Sequence, residues 1–359
     1  MGNLRSCIHC IVPPMVLEAI ARNGSEQQRD WALRTMATDH SIRAARIQNS
    51  ALRAPGRHRR SLLEAHSGTG KPHRIIRDSN GLETFAGPTV REEGQPATGD
   101  PAVDEAYDGF GATHDFFWKS FQRDSIDDDG MHLSGVVHYG NKFDNAFWDG
   151  QRMVFGDGDG EIFNRFTLSL DVIAHELAHG VTEDEAALVY LGQAGALNES
   201  MSDVFGSMVK QHMNRQKAAD ADWLIGAELL TGKVNGAALR SMKEPGSAYD
   251  DDLLGKDPQP GHMDDYVETM ADNGGVHINS GIPNRAFYTV ATALGGFAWE
   301  RAGRIWYDSL RFEGLRPNAR FSELAKVTEK TAKRLYGAGS DEAKAVKAGW
   351  DTVGVGSVS

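Results

Sequence analysis

Between Pro14 and about Ile47, apolar residues return at helical spacing (Leu17, Ile20, Trp31, Leu33, Met36, Ile42) among many arginines, which predicts one or two helices. Gln48 to Pro72 is hydrophilic, with Arg57, Arg59 and Arg60, and predicts an exposed linker open to cleavage. Ile75-Ile76, Ser79-Asn80-Gly81 and Thr84-Phe85-Ala86 predict a β-hairpin closed by an Asn-Gly turn. Val103, Ala106, Tyr107, Phe110, His114, Phe117 and Phe121 follow a helical period, so a helix packed on a sheet is expected there. His114 on that helix is read as a core or surface residue, not a ligand. Strands are expected at Val136 to Tyr139 and Met153 to Phe155, flanking a turn at Asn145 to Gln151. Beyond Asp171 helices dominate, at 171–183, 195–214, 283–294, 299–312, 320–336 and 340–350. The fold class expected is α+β, a mixed lobe followed by a helical lobe. The helix from Asp171 lies at their junction, where a cleft would form.

That helix carries His175-Glu176-Leu177-Ala178-His179, with Ser169 placed to cap its start. Residues four apart share a helix face, so His175 and His179 can aim two ring nitrogens at one ion. Glu176 lies beside that ion without having to bind it. Downstream, Glu199 can supply a third ligand and complete the His₂Glu set of a catalytic zinc with an open fourth position. Asp203, one turn beyond Glu199, is placed to accept the free ring N–H of a zinc-bound histidine, and Asn198 stands beside it in the same supporting layer.

With Asn145-Ala146-Phe147-Trp148, Gly156-Asp157-Gly158-Asp159-Gly160, Gly195-Ala196-Leu197-Asn198-Glu199 and Asp272-Asn273-Gly274-Gly275-Val276-His277-Ile278-Asn279-Ser280-Gly281, the zinc motif resembles the thermolysin-family metalloproteases in order and spacing. The resemblance runs from about Arg74 to the C-terminus, and the short N-terminal segment with Pro13-Pro14 is similar to the compact propeptides of the protealysin subgroup. It implies a two-lobed thermolysin-like fold and a zinc endopeptidase that uses Glu176 as its base. Zinc in such a site lowers the pKa of a bound water to about 7. The resemblance further implies that His277 and Tyr190 stabilise the tetrahedral intermediate and that Asp272 orients His277. It assigns substrate-backbone contacts to Asn145, the Ala146 carbonyl and Arg240. Phe163, Phe166, Val172 and Leu239 match the lining of the primary pocket, so a bulky hydrophobic residue is expected just after the cleaved bond. In the family's double calcium site, Asp171 and Asp222 match carboxylate ligands, but Lys210, Leu224 and Ala227 replace acidic ones, leaving perhaps Glu228 besides. An ammonium cannot coordinate a cation, so at most one Ca2+ is expected there.

Charge divides the chain. Residues 1–77 hold 13 Lys/Arg against 5 Asp/Glu and the remainder 25 against 45, within a net charge of −12. A basic segment ahead of an acidic body suggests a unit that docks electrostatically, consistent with an inhibitory propeptide in cis. The expected division is propeptide 1–57, α+β lobe 58–170 and helical lobe 171–359. The only cysteines, Cys7 and Cys10, precede the body, which therefore folds without disulfides, and either thiolate could cap the zinc. No apolar run reaches the length of a membrane span, and the N-terminus is a poor secretory signal. A secreted monomer acting on peptides and proteins is expected, exported without a recognisable signal peptide, with a cytoplasmic location as the alternative. No nucleic acid or membrane partner is expected. The rival functions are a zinc aminopeptidase, which would need a carboxylate cluster gripping a free amino terminus, and a non-catalytic zinc-binding protein.

Overall fold

The computed structural model describes residues 9–51 and 70–356. Six strands form the sheet of the first lobe: β1 (His9–Cys10), β2 (Arg74–Asp78), β3 (Thr89–Glu92), β4 (Leu133–Val137), β5 (Ala146–Trp148) and β6 (Met153–Phe155). Their spatial order is β1–β5–β6–β4–β2–β3. β2, β4 and β6 run parallel, whereas β3, β5 and β1 join antiparallel. Two of the expected local structures are corrected here. Asn80 and Gly81 do turn with positive φ, but the chain folds back on itself through Thr84 and pairs again only at Thr89. Ala146–Trp148 is a strand, not part of a turn; the turn is confined to Asp149–Arg152, where Asp149 accepts the N–H groups of Gln151 and Arg152 at 2.8 Å each.

Helix α1 (Pro14–Asn23) and helix α2 (Glu26–Ala51) form a hairpin ahead of the sheet. Pro13 and Pro14 lack the N–H that would extend β1, and Pro14 sits in the first turn of α1, where no donor is needed. α2 runs four residues further than the helical pattern indicated; residues 52–69 of the expected linker lie outside the described residues. Helix α3 (Pro101–Phe121) is capped by Asp100, which accepts the N–H of Ala102 at 2.9 Å, and buries Val103, Ala106, Tyr107, Phe110 and Phe117 against the sheet. His114 is buried in α3, its Nε2 3.4 Å from Asp124.

The second lobe is helical, as expected: α4 (Leu170–Glu185), α5 (Gly192–Asn214), α6 (Asp272–Asn279), α7 (Gly281–Leu294), α8 (Ala302–Leu310), α9 (Phe321–Tyr336) and α10 (Asp341–Thr352). α6 had no helical pattern in the sequence. α4 packs on α5, α3 and β5, and every residue from Asp171 to Thr182 is buried. Ser169 is at its N-cap position but caps nothing; its hydroxyl donates instead towards Asp171 and Glu228 at 2.6 and 2.7 Å.

His138 ties the layers together, with Nδ1 2.9 Å from Asp157 and Nε2 3.1 Å from Asp100. Asp157 above all, with Asp100, pushes its pKa up from the ordinary 6.5 to about 9 against partial burial. Since the folded pKa is the higher, this contribution to stability is full below pH 6.5 and is lost as pH rises towards 9. In urea titrations, wild type should exceed His138→Asn by about 1 kcal/mol at pH 6, the exposure of the carboxylates limiting the effect, and the gap should close by pH 10.

Candidate active site

α4 and α5 cross so that their polar faces meet inside the protein. His175 Nδ1 lies 2.8 Å from Asp203 Oδ1, and His179 Nδ1 lies 2.8 Å from Asn198 Oδ1. Both acceptors require a proton on Nδ1, which leaves the lone pair on Nε2. The two Nε2 atoms are 3.0 Å apart, and Glu199 approaches them at 3.5 and 3.4 Å. Glu199 Oε2 is buried without a hydrogen-bond partner, and its carboxyl, which burial would raise, is held well below the usual range by His277 and His179. Two imidazole lone pairs and an anionic oxygen meeting in a buried place fit a divalent cation such as zinc. Burial takes His179 down to about 3, whereas Asp203 and Glu199 push His175 up to about 9 in spite of burial, so a cation competes with a proton at His175.

Glu176 offers a carboxylate oxygen within 4.8 Å of the His175 and His179 ring nitrogens, so by proximity alone it is grouped with them as a potential ligand. Its Oε2 accepts the backbone N–H of Trp148 at 3.0 Å, while Oε1 is buried with no hydrogen-bond partner. Burial, reinforced by Glu199, pushes its carboxyl well up, the direction a proton acceptor near neutral pH requires. Across the site, Tyr190 donates to Glu199 and lies 3.1 Å from His277 Nε2. Asp272 holds His277 twice, accepting its backbone N–H at 2.8 Å and its Nδ1–H at 2.6 Å. The backbone makes this possible: Asp272, Asn273, Gly274 and Gly275 all have positive φ, a left-handed turn that folds the carboxylate back onto the ring. A Cβ on Gly275 would come within 2.8 Å of the Asn279 amide.

Asp203 is the hub behind His175. Arg240 donates to both its oxygens at 2.8 and 2.9 Å, and Asn284 donates to Oδ2 at 2.8 Å. Asn284, Ser202 (3.0 Å from His179 Nδ1) and the Trp148 N–H were not found from the sequence. Trp148 and Ser202 lie inside stretches the sequence singled out, but a backbone N–H and a hydroxyl carry no residue pattern of their own, and Asn284 lies beyond those stretches.

Family models decide the identity. Residues 70–183 match the thermolysin metallopeptidase catalytic domain and residues 186–355 the thermolysin metallopeptidase alpha-helical domain. The chain belongs to the thermolysin family. It is 53% identical over 346 residues to an extracellular metalloprotease of Pectobacterium carotovorum subsp. carotovorum, covering 96% of both chains. It is 48% identical to protease PrtS of a Photorhabdus species, over 96% of this chain and 91% of the relative. The precursor of protealysin, a metalloproteinase from Serratia proteamaculans, has a similar structure, with a TM-score of 0.86 and 51% identity over 97% of this chain and 99% of that one. The protein is thus a zinc metalloendopeptidase with the two-lobed thermolysin-like fold.

The N-terminal segment lies along the outer edge of β5. β1 pairs with β5, and Ile11 N–H donates to the Ala146 carbonyl at 3.2 Å. Val12 N–H donates to Asn145 Oδ1 at 3.1 Å, and Arg240 donates to the Ile11 carbonyl at 3.1 Å. α2 supports the dock: Asn145 Nδ2 donates to Asp39 at 3.0 Å and the Asp144 N–H to Thr35 at 3.2 Å. Cys10 does not offer its thiol to the metal ligands. Its side chain packs with Val136, Tyr139, Phe143, Phe147 and Val154, because alternate residues of a strand face opposite sides. Cys7 lies outside the described residues. At the matched calcium position, Lys210 Nζ is 3.1 Å from Asp171, 3.2 Å from Asp222 and 3.9 Å from Glu228.

Proposed function

We propose that this chain is the precursor of a secreted thermolysin-like endopeptidase and that residues 1–57 are a removable inhibitor lying in its substrate cleft. The observation that supports this best is the segment His9–Val12, paired with β5 through His9–Cys10 and continued by bonds from Ile11 to the Ala146 carbonyl and from Val12 to the Asn145 side chain, as an edge-binding peptide would be. His175, His179 and Glu199 would hold the zinc, which polarises the scissile carbonyl and makes a bound water acidic. Glu176 takes the proton from the attacking water and passes it to the leaving nitrogen. His277, whose pKa Asp272 and Glu199 raise against the effect of burial, and Tyr190 donate to the oxygen on which negative charge develops. Asp203 and Asn198 hold the ligand imidazoles in one tautomer, and Arg240 and Asn284 hold Asp203. Asn145, the Ala146 carbonyl and Arg240 take the substrate backbone. Phe163, Phe166, Val172 and Leu239 shape a pocket for a bulky hydrophobic residue on the amino side of the leaving fragment.

The Pectobacterium relative is named extracellular, and we place this monomeric enzyme outside the cell as well, by a route without a recognisable signal peptide. No helix among the described residues is long and apolar enough to cross a membrane. Incubating purified full-length protein with zinc should yield a mature form starting between residues 51 and 60, cleaving peptides blocked at both ends. Glu176→Ala should remain uncut in its linker. Full activity with Met1 still in place would refute the inhibitor, and activity only on free amino termini would make the enzyme an aminopeptidase.

A further inference from the structure

The N-terminal segment does more than cover the cleft, because its direction and register are those of a chain about to be cut. Four hydrogen bonds define that register. The Cys10 carbonyl accepts from His277 Nε2 at 3.1 Å, and the Ile11 N–H donates to the Ala146 carbonyl at 3.2 Å. The Ile11 carbonyl accepts from Arg240 at 3.1 Å, and the Val12 N–H donates to Asn145 at 3.1 Å. Among the described residues of the segment, the carbonyl facing the proposed oxyanion donor is that of Cys10, and the amide following it is the Cys10–Ile11 bond. Strand alternation turns the Cys10 thiol into the cluster with Phe147 on one face of the sheet, while Ile11 belongs to the large core that includes Phe163, Phe166, Val172 and Leu239. A β-branched apolar residue thus occupies the position just after the bond.

We infer that the enzyme hydrolyses its own Cys10–Ile11 peptide bond in cis, a step that rests on the endopeptidase reading of the site. Water oxygen bonds to the Cys10 carbonyl carbon, the C–N bond to Ile11 breaks, and the proton taken up by Glu176 goes to the Ile11 nitrogen. The products are a Cys10 carboxylate and an Ile11 ammonium. The amine side continues into α1 and α2, docked through Gln28, Thr35, Thr38 and Asp39. It stays bound after the cut, so the nicked chain remains latent until its linker is cut.

The test is intact-mass analysis and N-terminal sequencing of full-length protein over time after zinc addition, with a doubly blocked peptide assayed in parallel. A chain beginning at Ile11 should appear before blocked-peptide activity does, at a first-order rate that does not change over a tenfold range of protein concentration. Glu176→Gln should slow the cut by about 100-fold or more. Ile11→Gly, which leaves the body of the enzyme unaltered, should slow it by about tenfold or more by removing the buried apolar side chain just after the bond. If activity appears while the released N-terminal fragment still carries Met1 and an intact Cys10–Ile11 bond, the inference is wrong and the endopeptidase reading survives. A rate that rises with protein concentration would also overturn the cis step. If neither the chain nor the blocked peptide is cut, the endopeptidase reading itself has failed.

Discussion

Glu176→Ala is expected to lower turnover of a blocked peptide by about 10²–10⁴-fold while zinc affinity stays near that of wild type. The separation follows from geometry. The atoms proposed to hold the metal are His175 Nε2, His179 Nε2 and the Glu199 carboxylate, whereas one oxygen of Glu176 accepts the Trp148 N–H. Its removal leaves the supports at Asp203 and Asn198 in place, so the ligand imidazoles keep their tautomers. Stability should not suffer, because burial already pushes the Glu176 carboxyl well up and its Oε1 has no hydrogen-bond partner. Zinc competition with a chromophoric chelator, run beside the peptide assay, checks both halves. Loss of zinc binding would make Glu176 a ligand, and near-normal turnover would take the proton transfer away from it.

Lys210→Ala should destabilise the protein by about 3–5 kcal/mol, since it leaves a wholly buried carboxylate without its counter-charge. Asp171 is 0% exposed and sits one turn before His175 on α4, whereas Asp222 and Glu228 reach the same ammonium from a partly exposed loop. Burial opposes the charge on Lys210, but Asp171, then Glu228 and Asp222, outweigh it and hold the ammonium protonated. The Ser169 hydroxyl and the Gly226 N–H, at 2.6 and 3.3 Å from Asp171, cannot replace a positive charge. We therefore expect a wild-type melting temperature that a calcium-selective chelator leaves unchanged when zinc is supplied. In Lys210→Glu, added calcium should raise the melting temperature. Unfolding free energies from urea titration measure the first effect, and calorimetric scans with and without calcium measure the second. A melting temperature that collapses on removal of calcium from wild type would show that the lysine has not taken over the ion's role.

The candidate metal site could be proposed from the sequence because its spacing is local. His175 and His179 share a face by helical period alone, as do Glu199 and Asp203. The helices of the second lobe were legible for the same reason, their apolar residues repeating over whole turns. Where a structure depends on a partner distant in sequence, the local pattern misled. Ala146–Trp148 has turn-forming neighbours yet is a strand, because its hydrogen bonds are completed by β6 on one side and by β1, more than 130 residues earlier, on the other. Asp272–Gly275 has no apolar period, and its left-handed turn is held by the bonds to His277. Ser169 stands at an N-cap, but the nearby Asp171 and Glu228 draw its hydroxyl away. Composition suggested a basic segment docking on an acidic body. That the segment enters the cleft in a substrate's direction, with the Cys10 carbonyl facing His277, was decided by sheet pairing. Backbone hydrogen bonds are blind to side-chain identity, so no residue pattern announces their register; only the folded edge of β5 selects it.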